Sequence, residues 1–564
     1  MLTARRLYLY AVSTIGLALS LAGLTTLLRL LLDQLGFAPV GPELVLPAAD
    51  RAREDLSRAL ALASVGLPLW LSHTWYAERL ASGFDAAAAS ERQSTVRAAY
   101  YALVLAATLW FGAISAVDVL RETLRNVAGV HGDDYADIPG SLATSVVALL
   151  AWGYLAWARA RDLRAGPMRG AAAWITRLEG YGAVLVGFIA VSFAVSDLIG
   201  NILSVLVGRA PVGGGTDWWV APALASVALV AVGGPIWIAH WRYADGLIAE
   251  DSPWAPGERL SRVRVACLLA IAGISVAMII AAVASTVGSV LAWAVGVAPS
   301  DDAARLVEDV IGPPLAATPF MAAWWWHRQR AVAEAVRFGG QTRERSVRRL
   351  ADLLASVIGL AVASGAAGWA LGIGLDAAFG GTRTVGSSET AWRGDISQFV
   401  GYVLGATPVW LVAWYRLQAR MSTAPAVEAA SAARRGYLYL VGGVALVAAA
   451  VSLALVLYQM IRAVAGLPTG SMVSDVSAPI GIGMVACAVL AYHIAVFLGD
   501  ARAREGAGAA ARGETATAAV DVEDVEIMGP EGTDFEALNV AIRAWLPGGF
   551  TLRVTGHHGA RGPS

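Results

Sequence analysis

The sequence predicts an all-α protein, a polytopic transmembrane helical bundle of twelve spans made from six tandem helical hairpins in parallel orientation. Three observations predict it. Of the 564 residues, 57% are hydrophobic and 15% charged, with a mean hydropathy of +0.59, more apolar and less charged than soluble domains. Twelve stretches long enough to cross a hydrocarbon core contain no Asp, Glu, Lys or Arg. A proline and tryptophan pattern returns along the chain at a nearly fixed period.

The uncharged runs are 7–28, 59–77, 98–117, 138–158, 180–196, 218–241, 265–300, 310–327, 353–375, 396–415, 436–461 and 476–499. Runs of this length must be helical, because a barrel shows short alternating segments instead. The first follows Arg5 and Arg6 but is too long for a secretory core and has no small-x-small cleavage site, so it reads as a membrane anchor. Odd-numbered runs open with Arg and often Tyr, as in Arg5-Arg6-Leu7-Tyr8-Leu9-Tyr10, Arg97 with Tyr100-Tyr101, Arg177 with Tyr181, and Arg434-Arg435-Gly436-Tyr437-Leu438-Tyr439.

Even-numbered runs carry the repeated pattern near their C-terminal ends. It reads Pro68-Leu69-Trp70 with His73, Pro235-Ile236-Trp237 with His240, Pro319 with Trp324 and His327, and Pro408-Val409-Trp410 with Trp414. Ala151 with Trp157 and Ala486 with Tyr492 are degenerate copies. The marker positions are therefore 68, 151, 235, 319, 408 and 486. Their near-even spacing is the regularity of a duplicated helical hairpin. The match between the first and eleventh runs, and the proline missing from hairpins 2 and 6, group the hairpins into a four-helix unit repeated three times. Its boundaries are 1–170, 171–340 and 341–500, followed by a tail at 501–564.

Loops leading from even to odd runs hold about twice as many arginines as those leading from odd to even runs. The positive-inside rule makes the first set cytoplasmic, and with them both termini. Successive hairpins then enter the membrane the same way up and are related by an axis along its normal. All 42 basic residues are Arg, and Ala, Gly and Val abound, a coding bias that suggests a bacterial protein of the cytoplasmic (inner) membrane. The net charge of -1 gives no reason to expect a nucleic-acid partner. Cys267 and Cys487 lie in apolar runs and read as small buried residues.

The prolines and aromatics admit two readings. Proline frees a carbonyl and kinks a helix, and the following Trp and Tyr sit where an interfacial aromatic belt belongs. Alternatively the kinks surround a ligand cavity lined by Pro68, Trp70, His73, Pro235, Trp237, His240, Pro319, Trp324, Pro408 and Trp410. Facing histidines can hold haem or metal, but no His-x-x-x-His or Glu-x-x-His pair supplies a second ligand, so no cofactor, metal or catalytic residue is assigned. Asp118, Asp197 and Asp376 lie about 20 residues, roughly 30 Å, from the cytoplasmic starts of their helices and read as solvated outer ends, with Arg121 a local partner for Asp118. Gly368 and Gly372 read as a close-packing pair.

Beyond Gly499 the sequence predicts a flexible spacer over 500–520, an acidic segment 521–526, an amphipathic helix over 535–546 and a short strand over 550–554. No phosphate loop, nucleophile elbow or zinc-protease motif is present. Around Arg5 to Tyr10, in the apolar helix ending Leu27-Leu28-Arg29-Leu30, and again at Arg434 to Tyr439, the chain resembles an uncharacterised bacterial membrane domain, domain of unknown function 5671. The resemblance implies tandem copies of a four-helix unit over about residues 1–500 and brings no site residues with it. The protein reads as a non-enzymatic scaffold or sensor that contacts the lipid bilayer and, through residues 521–556, a cytoplasmic protein partner. A transporter or channel for a small neutral or apolar solute is the alternative, and a haem-bearing redox enzyme a third reading.

Overall fold

The computed structural model describes residues 2–37, 48–130, 138–208, 218–297, 303–379, 391–467 and 471–517. In these residues the chain is helical throughout: α1 (Leu2–Leu32, followed by a π-helical turn Asp33–Phe37), α2 (Ala48–Ala81), α3 (Ala86–Arg92), α4 (Thr95–Val127), α5 (Ile138–Arg164), α6 (Gly170–Leu206), α7 (Val220–Gly246), α8 (Ala255–Arg259), α9 (Arg262–Ala294), α10 (Ala303–Ala316), α11 (Thr318–Ala378), α12 (Ala391–Thr423), α13 (Pro425–Ala429), α14 (Ala432–Val464) and α15 (Met472–Thr517). Helix is the expected outcome for apolar runs of this length, since each backbone group finds its partner within the segment.

Among the described residues ten helical stretches are long and apolar enough to cross a membrane. This is a multi-pass membrane protein. Nine of the ten each hold all or most of one predicted run, and the tenth, Ala304–Ala378, contains the eighth and ninth. Its 75 residues would extend for about 110 Å as a straight helix, far beyond a hydrocarbon core. Gly340 (φ 64°, ψ −166°) interrupts α11 and divides it into two legs. The second predicted run lies in α2, which carries Pro68 and is less apolar than the other long helices.

The helices fall into three groups with separate cores. Tyr10, Tyr101 and Leu155 centre the first core, Tyr181, Phe188 and Phe320 the second, and Trp414, Tyr437 and Leu438 the third. Within the groups α1 packs along α2 and α4 along α5, α6 along α7 and α9 along α10 and α11, and α11 along α12 and α14 along α15. Between the groups, α4 packs against α6 and α7, and α9 against α11 and α12.

The local signals repeat with the groups. Ser94 and Ser261 accept bonds from the backbone N–H groups of Arg97 and Arg264 and cap α4 and α9. Gly129, Gly296 and Gly466 end α4, α9 and α14 at φ 71°, 72° and 66°, the left-handed conformation that favours glycine after a helix.

Four expectations need correction. Cys487 is exposed, whereas Cys267 is buried as expected. Pro319 does not kink a helix interior: α10 stops at Ala316 and Pro319 occupies the first turn of α11, where its missing N–H costs no bond. The predicted flexible spacer is helical as far as Thr517, a continuation of α15. Asp376 is not a solvated helix end but is buried, and its Oδ1 has no hydrogen-bond partner. The acidic segment, the amphipathic helix and the strand predicted between 521 and 554 lie outside the described residues, as does the partner segment 521–556.

Candidate functional site

The polar chemistry of this apolar chain is concentrated on three arginines. Arg97, Arg264 and Arg434 stand in the first turns of α4, α9 and α14, and each is at most 2% exposed. A guanidinium taken out of water must be paired and hydrogen-bonded. Arg97 donates from Nε to Asp162 Oδ2 (2.6 Å), from Nη2 to Glu78 Oε1 (2.7 Å), and from Nη1 to Tyr10 Oη (2.9 Å) and the Ala77 carbonyl (3.3 Å). Arg264 donates to both oxygens of Glu334 (2.8 Å each), to Asp245 Oδ1 (2.8 Å), to the Ala244 carbonyl (3.0 Å) and to Tyr181 Oη (3.2 Å). Arg434 forks onto Asp500 (2.6 and 3.2 Å) and reaches Gln418 Oε1 (3.0 Å).

A second ion pair adjoins each cluster. Arg6 donates to Glu91 Oε2 (2.7 Å) and Tyr10 to Glu91 Oε1 (2.8 Å). Arg177 and Tyr181 hold Glu258 in the same way, at 2.7 and 2.6 Å. In the third group Arg349 pairs with Glu428, but Leu353 stands at the position of Tyr10 and Tyr181. The consequence is visible at Arg434, whose Nη1 has no partner where Arg97 and Arg264 each donate to a tyrosine. In the first two groups the cluster thus ties the starts of the first and third helices to the ends of the second and fourth, and in the third it ties α14 to α12 and α15.

The signal for these clusters is in the sequence. Glu91-x-x-Ser94-x-x-Arg97, Glu258-x-x-Ser261-x-x-Arg264 and Glu428-x-x-Ser431-x-x-Arg434 are one pattern that occurs once in each group. A search for uncharged runs passes over it, because the arginines sit just outside the runs. The structure also separates the arginines that the Arg-Arg-x-Tyr-x-Tyr match aligns, Arg5 and Arg6 with Arg434 and Arg435. Arg6 corresponds to Arg177 and Arg349 on the first helices, and Arg434 to Arg97 and Arg264 on the third.

The tryptophans of the three Pro-x-Trp copies occupy equivalent places. A Cβ on Gly16 would meet the Trp70 backbone nitrogen at 2.6 Å, one on Gly187 the Trp237 Cβ at 2.9 Å, and one on Gly359 the Trp410 backbone nitrogen at 2.7 Å. Glycine alone allows the first and second helices of each group this close approach. The indole Nε1 atoms of Trp70, Trp237 and Trp410 are buried in all three groups. His73, His240, His327 and His493 each place Nδ1 2.8–2.9 Å from the carbonyl four residues earlier. Trp324 and Pro408 line a cavity of about 410 Å³ between α9, α11 and α12, and Trp70 lines another of about 540 Å³ with Leu17 and Tyr154. A third cavity, of about 750 Å³, is lined by Arg121, Asp197, Asn201, Ser204 and Glu308, and Arg121 pairs with Asp118 at 3.4 Å as its spacing predicts. Among the described residues no group of three or more His, Cys, Asp and Glu side chains is arranged to hold a metal.

The model of the domain of unknown function DUF5671 matches residues 6–139, 177–323 and 349–489. The chain belongs to the DUF5671 family. The three matches begin at Arg6, Arg177 and Arg349, the equivalent arginines of the three groups, so this DUF5671 protein carries its domain three times in tandem. No curated protein and no solved structure matches the chain.

Proposed function

We propose that this DUF5671 protein is a non-enzymatic scaffold or sensor module of the bacterial cytoplasmic membrane, with twelve spans and both termini in the cytoplasm. In this reading α2 and the two legs of α11 all cross the bilayer. The observation that carries it is the use made of the polar and aromatic residues. The buried guanidiniums are engaged by carboxylates on neighbouring helices, and the Pro-x-Trp helices are pressed onto glycines. Groups held this way give rigidity and leave little freedom to rearrange around a passing solute.

Residues 521–556 supply the contact with a cytoplasmic protein in this reading. Deleting them abolishes capture of that partner and leaves membrane insertion intact; loss of insertion, or capture unchanged, contradicts the proposal. Topology is tested by reporters fused after Gly170, expected to be cytoplasmic, and at Gly214, expected to be external.

One observation favours the transporter reading instead: the cavity that Trp324 and Pro408 share with Leu269, Val276 and Ile279 is mostly apolar. Proteoliposomes distinguish the two. The scaffold predicts no flux of small neutral solutes above that of protein-free vesicles, whereas a flux abolished by Trp324→Ala establishes transport.

A further inference from the structure

The two contacts between groups share one plan. In each, the third helix of one group packs against the first and second helices of the next: α4 against α6 and α7, and α9 against α11 and α12. On α9 the seam is Ile280, Ala284 and Gly288, which stand at offsets +16, +20 and +24 from Arg264 and are all buried. On α12 it is Gln398, Gly401 and Gly405, at offsets −10, −7 and −3 from Pro408. A Cβ on Gly401 would come 2.3 Å from the Ala284 carbonyl, so the backbones touch there. At the first contact the same offsets give Ala113, Val117 and Arg121 on α4, and Ala225, Ala228 and Val232 on α7. Val117, Arg121 and Ala225 do face one another across a cavity, and Ala228 is fully buried.

Among the described residues each half of this contact recurs once more without its counterpart. By the same offsets the third helix of the last group, α14, presents Ala450, Ala454 and Tyr458, and the second helix of the first group, α2, presents Arg58, Ala61 and Val65. All six are exposed. The extensive contacts of α2 are with α1 and α3, and those of α14 with α11, α13 and α15. An independent observation concerns α2 itself. Of the described helices of 18 residues or more, it alone is not apolar enough to be read as a membrane span. It carries the exposed pair Glu54 and Arg58, charged groups that hydrocarbon does not accommodate.

We infer that α14 of one copy docks on α2 of a second copy, so that the chain assembles head to tail and repeats between molecules the contact it makes twice within itself. The copies share one orientation in the membrane, as the three groups do. Ala454 meets Ala61 at the place where Ala284 meets Gly401, and Tyr458 lies opposite Arg58, a pairing of ring face and guanidinium. Such a heterologous contact closes into a ring or extends as a filament. The inference goes beyond the scaffold reading and uses no residue of the tail, so either can fail without the other.

Cysteine cross-linking in intact membranes tests it, with the exposed native thiol removed by Cys487→Ser. The full-length Ala61→Cys/Ala454→Cys protein is expected to give, on oxidation, a ladder of dimers and larger species that neither single-cysteine variant gives. Adding Ala450→Trp is expected to lower the cross-linked fraction roughly tenfold, as loss of a central interface position does. A dimer formed by Ala454→Cys alone would show two-fold pairing of α14 and overturn the inference. A disulfide within a single copy would show that the array closes on itself, which overturns it as well. Absence of any cross-link, with both thiols reactive to a lipid-soluble maleimide, would leave both faces to lipid and equally reject it.

Discussion

Glu334 accepts two hydrogen bonds of 2.8 Å from Arg264, a forked pair joining the first turn of α9 to the first leg of α11. Asp245, at the end of α7, takes a third bond from the same guanidinium, and Tyr181 on α6 a fourth. One side chain therefore fixes the relative positions of four helices. Helices in lipid gain no hydrophobic stabilisation from touching one another, so close packing and buried polar contacts must set their arrangement.

Removing Arg264 takes away four side-chain bonds and leaves Glu334 and Asp245 with Arg330 as their remaining cation, at 2.9 and 2.5 Å. Arg264→Met is expected to destabilise the protein by about 3–5 kcal/mol, and Arg264→Lys to recover little, because an ammonium cannot reproduce the planar fork. Thermal unfolding of the detergent-solubilised protein measures both. A loss below about 1 kcal/mol for Arg264→Met would mean that the cluster is incidental.

Tyr10 and Tyr181 each donate to a glutamate and accept from an arginine. Tyr10→Phe and Tyr181→Phe are each expected to cost about 1–3 kcal/mol, since two charged groups lose a bond in a buried site. Equal stability of the parent and either variant in chemical denaturation would show that the hydroxyl is dispensable.

The glycines under the tryptophans give a steric test. Gly187→Val drives a branched side chain into the Trp237 backbone, and a loss of about 1–3 kcal/mol or failure to fold is expected. Gly182, on the same helix, has open space where a Cβ would be. Gly182→Ala is therefore expected to be neutral or slightly stabilising through its better helix propensity. Similar melting temperatures for the two variants would contradict the close approach.

Two aspartates separate paired from unpaired burial. Asp162 is buried against Arg97, while Asp376 is buried with Oδ1 unpartnered. Asp376→Asn is expected to leave stability unchanged or raise it by about 1 kcal/mol, because Oδ1 has no hydrogen bond to lose. Asp162→Asn is expected to lower stability by several kcal/mol. The order of the two melting temperatures checks the assignment, and the reverse order refutes it.

The parts of the fold legible in the sequence are those that solvent imposes. The apolar runs and the regular return of the proline and tryptophan pattern reflect the bilayer and a duplication, and both leave a trace along the whole length of a helix. The second run is harder to place, because its serines, His73 and Tyr76 lower the hydropathy of α2. Pro319 resembles Pro68 and Pro235 in sequence, and only the break at Ala317 shows it opening a helix. The pairings within the arginine clusters are not legible in any one copy of the sequence, because an ion pair depends on what lies opposite in space. Glu91 and Arg6 are 85 residues apart, and nothing local distinguishes either from a solvated loop charge. Only comparing the three copies shows that Glu-x-x-Ser-x-x-Arg recurs, and only the structure shows that Leu353 breaks the tyrosine series.

The central claim is that buried arginines hold each group of helices together, and the pair of Arg434 and Asp500 tests it most directly. This pair joins α14 to α15 and is buried on both sides. A double-mutant cycle of Arg434→Met, Asp500→Leu and the combined variant, followed by unfolding in detergent, isolates their coupling. The account predicts a loss of about 3–5 kcal/mol for each single variant and a double variant much more stable than the sum, since two apolar residues replace the ion pair without stranding a charge. Additive losses would contradict it and would place the stability of the bundle in the apolar contacts alone.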